Sequence, residues 1–212
     1  GSIGKSTLEL VREFPELFSV AGLTAYSSVE KIESLSKEFN NAPHLLLKDV
    51  NKEILNNFII KCNPDIVVNG IAGAAGLLPS IKKKKKGIDL ALANKETIVM
   101  AGPLIKDLAQ EKNAKILPVD SEHSAIFCLT QKIGKENISK IIITASGGPF
   151  RTLTKADLEQ VTIEQALNHP TWQMGKKITI DSATLANKGL EVIEAARLFD
   201  VEADKIEVVV HP

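Results

Sequence analysis

Cysteine is scarce in this chain: Cys62 and Cys128 are the only two. Two cysteines outside any metal-binding spacing exclude a disulfide framework and a thiolate zinc site; both are expected to be reduced core thiols in a reducing compartment. An excess of charge of one sign is also missing. Lys and Arg number 26, as do Asp and Glu, so the whole molecule carries no bias toward nucleic acid or acidic membranes. No apolar run approaches transmembrane length, and neither a signal nor a transit pattern is present. The chain opens without Met on Gly1-Ser2-Ile3-Gly4 and stops at His211-Pro212 directly after an apolar stretch. Both ends are expected to be cut through working structure. A bacterial cytoplasm is the simpler location, with a plastid the alternative if a transit segment preceded Gly1. The run Lys82 to Lys86 lacks the aromatic or arginine interleaving that nucleic-acid binding asks for. It reads as a solvated helix end before a Gly87 cap.

What is present is an ordinary globular composition, 44% apolar over 212 residues, enough for one large or two small domains. Strand-like and helix-like segments alternate. Expected strands are Phe18–Ala25, 44–47, Asp65–Asn69, Ile88–Ala93, Ala114–Val119, Lys140–Thr144, Lys177–Asp181 and Ile206–Val210. Between them fall apolar spacings of about 3.6 residues, with Val29, Ile32, Leu35 and Phe39 facing inward from one expected helix and Thr154 and Thr162 capping two short ones. The alternation predicts a Rossmann-like, doubly wound, mostly parallel sheet, followed after Arg151 by a different, α+β texture. The expected division is 1–119 and 120–212. His44 has no partner nearby in sequence and reads as a surface residue.

Ligands in such sheets bind beyond the carboxyl ends of the strands. Here those ends carry Asn94-Lys95-Glu96, Asp120-Ser121-Glu122-His123 and Ser146-Gly147-Gly148. If strand geometry persists to Glu122, Asp120 and Glu122 project to one face, and two carboxylates so close call for a cation. The stretch reads either as an all-oxygen divalent-metal site or as a strand end followed by a helix capped by Ser121. Gly1 to Gly4, opening a helix, reads as a phosphate cradle or as a tight turn; Ser146 with two glycines offers the same pair of readings. Trp172, the chain's one Trp, reads as a lid over a ligand or as a plug on the core. A long helix from Ala183 to Phe199, capped by Ser182, places Asn187, Lys188 and Glu191 on one face, as a site or as a surface ion pair. No Asp or Glu follows the strand ending at Ala25, which favours NADP over NAD.

Taken in order, several motifs resemble one family. They are Ala93-Asn94-Lys95-Glu96, Leu117-Pro118-Val119-Asp120-Ser121-Glu122-His123, Ser146-Gly147-Gly148-Pro149-Phe150-Arg151, His169-Pro170-Thr171-Trp172, Met174-Gly175-Lys176-Lys177, and Asp181-Ser182-Ala183-Thr184 followed by Asn187-Lys188-Gly189-Leu190-Glu191. The chain resembles the 1-deoxy-D-xylulose 5-phosphate reductoisomerases from Gly1 to Pro212. The resemblance implies rearrangement and reduction of 1-deoxy-D-xylulose 5-phosphate to 2-C-methyl-D-erythritol 4-phosphate in isoprenoid precursor synthesis, with NADPH and Mg²⁺ or Mn²⁺. It implies an NADPH-binding domain over 1–119 and an incomplete catalytic domain over 120–212. Asp120, Glu122 and Glu191 match metal ligands and, with Lys95, the catalytic set. Lys95 and Ser121 match contacts at the reacting end, Ser146, Ser182, Asn187 and Lys188 match phosphate contacts, and His169 and Trp172 match a lid. Gly1, Ser2 and Ile3 match the pyrophosphate turn; Tyr26, Ser28, Asn94, Glu96 and Gly175 match further NADPH contacts. The implied partner is a sugar phosphate, with neither nucleic acid nor membrane, and the whole protein is implied to be a homodimer. The family's opening strand, the basic or amide residue after Tyr26, the remaining catalytic sheet and the C-terminal helical domain are not in this sequence. The competing readings are a nucleotide- or metal-binding fragment without turnover, and another Rossmann oxidoreductase that needs no metal.

Overall fold

The computed structural model describes residues 1–48, 50–77 and 87–211, without the side chains of Lys52 and Lys135. The lysine run and its expected helix end lie outside the described residues. The chain divides into two compact units, one of residues 1, 3–97 and 104–117, the other of residues 2, 98–103 and 118–212.

The first unit alternates helices and short parallel strands. Helix α1 (Ser2–Glu13) leads to β1 (Leu23–Ala25), α2 (Val29–Glu38), β2 (His44–Leu46), α3 (Lys52–Cys62), β3 (Ile66–Asn69) and β4 (Asp89–Leu92). β1 pairs parallel with β2, Leu23 opposite His44, and β3 pairs parallel with β4, Ile66 opposite Asp89. β5 (Ile116–Pro118) lies on the far side of β4. The expected strand from Phe18 shrinks to three residues because its partner β2 offers only three. Among the described residues, Leu8, Ile32, Ala42, Leu90, Leu92 and Ile105 are the buried apolar residues of this unit. Within the α2 pattern Ile32 is buried as expected, whereas Val29 is exposed. β3 is parallel but not enclosed: Ile66 and Val68 are exposed. Of the two cysteines, Cys62 is half-buried, with burial pushing its thiol pKa up, but Cys128 is exposed rather than a core thiol.

Helix α4 (Lys95–Glu111) is broken at Ala101, where φ is −141°. Pro103 explains the break. It has no N–H for the Val99 carbonyl one turn back, and Arg197 takes that place, donating from Nη1 to the carbonyls of Val99 and of Ile98 (3.0 Å).

The second unit is built on a parallel pair, β6 (Ile141–Ala145) with β7 (Ile206–Val210), Ile141 opposite Ile206. Period-two burial along β6 turns Ile141, Ile143 and Ala145 inward. Two helices supply the other side of the core: α5 (Ser121–Ile133) through Ile126 and Phe127, and α9 (Ala186–Phe199) through Val192, Ala195, Ala196 and Phe199. Between them come α6 (Lys155–Leu158), α7 (Ile163–Leu167) and α8 (Lys176–Ala183). α6 and α7 start in full capping boxes, Thr154 with Asp157 and Thr162 with Gln165, as the sequence anticipated.

Two expectations fail here. Lys177–Asp181 is helix, not strand. Thr179 is bound at both its N–H and its hydroxyl to the Gly175 carbonyl, and Lys177 pairs with Asp181 at 2.6 Å, one turn on. These local bonds override the apparent alternation. The long helix then starts at Ala186 instead of Ala183, because Leu185 adopts left-handed backbone (φ 61°) between α8 and α9. Ser182 is therefore not its cap; its hydroxyl donates to the Thr179 carbonyl at 2.8 Å.

Candidate active site

Three carboxylates meet in the second unit. Asp120, Glu122 and Glu191 each offer an oxygen, and these oxygens all lie within 4.8 Å of one another. The two ends of the cluster arise differently. β5 runs out at Pro118 and α5 begins at Ser121, so Asp120 stands at the N-cap and Glu122 in the first turn. The helix-cap reading of this stretch is thus met in part, and its two carboxylates gather with Glu191 as the metal reading expects. Glu122 points by helical geometry, not by a continued strand, and the cap is Asp120, not Ser121. The Asp120 carboxylate makes no cap bond; it lies 3.1 Å from Nδ1 of His123. Ser121 donates to Glu122 at 2.5 Å.

Glu191 comes from α9 and is 1% exposed. Asn187, one turn before it, donates to its Oε1 at 2.6 Å. Lys188, itself buried, donates to Glu122 Oε1 at 2.8 Å and pairs with Glu191 Oε2. The surface-ion-pair reading of this helix face does not hold. A lysine ammonium stands between two carboxylates that would otherwise repel. Carboxylate oxygens alone are the donor set of a hard divalent cation. The residues therefore fit Mg²⁺ or Mn²⁺, and among the described residues no thiolate or imidazole joins them.

A second group of the expected residues gathers near Gly147-Gly148. Ser146 directly follows β6, and its hydroxyl lies 3.1 Å from Nε2 of His169. Nδ1 of His169 accepts from the N–H groups of Thr171 and Trp172, both at 3.1 Å. That assigns the proton to Nε2, which donates to Ser146. Gly148 (φ 70°) has no room for a side chain: a Cβ there would stand 2.4 Å from the Ser182 carbonyl oxygen. So Ser146, His169 and Ser182 belong to one packed loop cluster, while the donors of Asn187 and Lys188 go to the carboxylates. Trp172 is 61% exposed, which removes the core-plug reading.

Burial holds the His169 pKa below its ordinary 6.5. A lowered folded value means that the fold prefers the neutral ring; this stability is complete above 6.5 and is lost as pH falls through the lower folded value. Protonation would turn Nδ1 into a donor facing two donors. Acidification through this lowered value is expected to release Thr171 and Trp172 and to shift Trp172 fluorescence. A His169→Gln variant that kept the same transition would refute this assignment.

The expected cofactor residues, most of them in the first unit, sit at strand ends and helix starts. Gly1 is the N-cap of α1, without a side-chain cap bond, and there is open space at Gly1 and at Gly4. First-turn N–H groups there suit a phosphate; Ser2 and Ile3 are the first residues of that turn. Tyr26 and Ser28 are exposed just after β1. Asn94, Lys95 and Glu96 open α4, with Asn94 1% exposed and Lys95 also buried. The Asn94 amide donates to the Ile71 and Gly73 carbonyls (2.7 and 2.9 Å) and reaches Glu96 at 2.9 Å, while its oxygen caps Thr97. Asn69 closes the same loop by donating to the Gly76 carbonyl at 2.8 Å. The small residues of 70–76 therefore pack against two buried amides. Gly175 caps α8 with open space beside it.

The reading of the residues missed three side chains. His123 was seen only as an imidazole beside acids, and Glu194 and Arg197 were not seen at all. The available signals were spacings: His123 three residues after Asp120, and Glu194 three after Glu191. The His123 ring is fully buried. Burial pushes its pKa down, but the bond to Asp120, the charges of Glu194 and Asp120 and the Glu191 carbonyl outweigh this and leave it raised.

Among the described residues no helix is long and apolar enough to cross a membrane. Residues 1–53 and 48–102 match the family described as 1-deoxy-D-xylulose 5-phosphate reductoisomerase, and residues 116–199 match the C-terminal domain of the same enzyme. The 1-deoxy-D-xylulose 5-phosphate reductoisomerase of Treponema denticola is 51% identical over the whole chain, which covers 58% of it. That of Thermoanaerobacter pseudethanolicus is 49% identical, and 60% of it is covered. Among solved structures, the enzyme from Zymomonas mobilis in complex with NADPH superposes with a TM-score of 0.87 at 37% identity, and one in complex with NADPH, fosmidomycin and magnesium with a TM-score of 0.86 at 37% identity. Each time all of this chain is covered and 59% of the other. The chain thus spans about 60% of the length of such relatives, and its mixed helix and parallel-strand architecture is theirs. With matches in this order from residue 1 to residue 199, the chain belongs to the 1-deoxy-D-xylulose 5-phosphate reductoisomerase family.

Proposed function

We propose that this chain carries the NADPH- and metal-binding machinery of a reductoisomerase that converts 1-deoxy-D-xylulose 5-phosphate to 2-C-methyl-D-erythritol 4-phosphate. The observation that carries the reading is the cluster of Asp120, Glu122 and Glu191, with an ammonium held between two of its members. These three side chains would hold Mg²⁺ or Mn²⁺. When bound, the metal supplies Lewis acidity to the carbonyl and neighbouring hydroxyl oxygens of an α-hydroxy ketone. Lys95 and Ser121 would orient the reacting end. Ser146, Ser182, Asn187 and Lys188 would hold the substrate phosphate, for which hydroxyls, an amide and a cation are the fitting donors. His169 would keep its proton at Nε2, aimed at Ser146 and the phosphate region, and Trp172, already exposed, would cover the bound substrate and exclude water. NADPH would be held mainly by residues of the first unit. Its pyrophosphate would meet Gly1, Ser2 and Ile3 at the start of α1, its adenosine end Tyr26 and Ser28, and its other contacts would be Asn94, Glu96 and Gly175.

The same reading divides the chain into a cofactor domain over 1–119 and a catalytic domain over 120–212. All three carboxylates fall in the second, which supports that division. It further makes the whole protein a homodimer of the bacterial cytoplasm, in keeping with its bacterial relatives. The test is loss of NADPH absorbance with 1-deoxy-D-xylulose 5-phosphate, with and without Mn²⁺, for this chain and for one completed to the relatives' length. Metal-dependent oxidation is expected from the completed chain. Oxidation that ignores Mn²⁺ would instead favour another oxidoreductase, and none from either chain would remove the reading.

A further inference from the structure

Behind the carboxylate cluster stands a buried group that substrate binding does not use. His123, on α5, is fully buried. Its Nδ1 lies 3.1 Å from Asp120 Oδ1, and its Nε2 lies 3.0 Å from the backbone carbonyl of Glu191, 68 residues away. Its ring stacks on Phe199, with centroids 6.2 Å apart and planes 14° apart. Glu194, 1% exposed, brings Oε2 to 3.6 Å from the same Nε2. A carboxylate and a backbone carbonyl only accept, so both ring nitrogens donate. The ring is therefore a strut of fixed length between the loop before α5 and the turn of α9 that carries Glu191.

We propose that His123, backed by Glu194, is the positioning residue of the carboxylate cluster, setting the distance between Asp120 and Glu191. This rests on the reading of Asp120, Glu122 and Glu191 as ligands of a divalent cation. Of those ligands, Asp120 reaches α5 only as its N-cap, where the backbone is extended (φ −138°), and Glu191 belongs to another helix. Backbone geometry alone does not relate the two. The His123 bonds do, and the stack on Phe199 together with Glu194 stops the ring from turning. Groups that orient metal ligands in this way are typically worth about 10–100-fold in metal affinity.

The test is Mn²⁺ titration of the 212-residue chain, followed by the electron paramagnetic resonance of free Mn²⁺, with thermal unfolding measured alongside. His123→Gln places its amide near the position of Nε2 and abandons Asp120; His123→Asn places its amide near Nδ1 and keeps Asp120. Each variant keeps one end of the strut and loses the other, so both are expected to weaken Mn²⁺ binding about 10–100-fold. Glu194→Gln has the same shape and is expected to weaken binding by about tenfold. Lower melting temperatures with an unchanged Mn²⁺ constant in all three would reduce His123 and Glu194 to packing and overturn the proposal. Glu191→Gln separates the two levels. If it abolishes Mn²⁺ binding while the His123 and Glu194 variants leave it intact, only this proposal falls. If the parent chain binds no Mn²⁺, the metal reading falls and takes the proposal with it.

Discussion

Glu191→Gln is expected to weaken Mn²⁺ binding by at least about a hundredfold, roughly 2.7 kcal/mol, and to remove most metal-dependent turnover from the completed chain. Glu191 is the one ligand of the three that is almost wholly buried. An ionised carboxylate in that position persists only because charge and hydrogen bonds compensate it, and Asn187 and Lys188 supply both. Gln keeps the shape and an oxygen for the Asn187 amide, but loses the charge that attracts a dication. Lys188 keeps its bond to Glu122, so the fold should survive, as circular dichroism would check. An oxidoreductase that needed no metal would barely notice the substitution. A variant with unchanged Mn²⁺ affinity and turnover would therefore remove Glu191 from the site.

Lys188→Met should have the opposite character, a large loss of stability that metal repairs. The Lys188 ammonium is 8% exposed and lies between Glu122 and Glu191. Deleting one partner of a buried ion pair commonly costs about 3–5 kcal/mol, because the charge left behind is uncompensated. For a domain of this size, 3 kcal/mol corresponds to roughly 6–12 °C in Tm. Without metal, the variant is expected to melt lower by about that much. Saturating Mn²⁺ should raise its Tm by more than that of the parent, since a dication then supplies the missing charge, whereas in the parent it must displace an ammonium. Equal increments in the two proteins would mean that Lys188 and the metal do not share a site.

Much of this site was legible before the fold was known. The paired acids at the end of the β5 stretch, the Asn187, Lys188 and Glu191 spacing and the capping boxes of α6 and α7 are local signals, and the fold keeps them. Other signals were less readable, some because competing local bonds won and some because their partners are far away in sequence. Alternation over Lys177–Asp181 suggested a strand, but bonds to the Gly175 carbonyl and an ion pair one turn apart made it helix. Ser182 preceded a helical pattern and so resembled a cap, until the left-handed Leu185 moved the helix start to Ala186. Nothing in the neighbourhood of Arg197 announced that Pro103, far away in sequence, would leave the Val99 carbonyl in need of a donor. The strut formed by His123 was unreadable for the same reason. Its second partner is a backbone carbonyl, which every residue has, so no residue type marks it.

The most direct test of the central claim is to crystallise the chain with Mn²⁺ and locate the metal by its anomalous scattering. One peak within ligand distance of Asp120, Glu122 and Glu191 together, with the Lys188 ammonium moved off Glu191, is the expected result. A Mn²⁺ peak bound by other carboxylates, with Lys188 still between Glu122 and Glu191 at saturating metal, would contradict it.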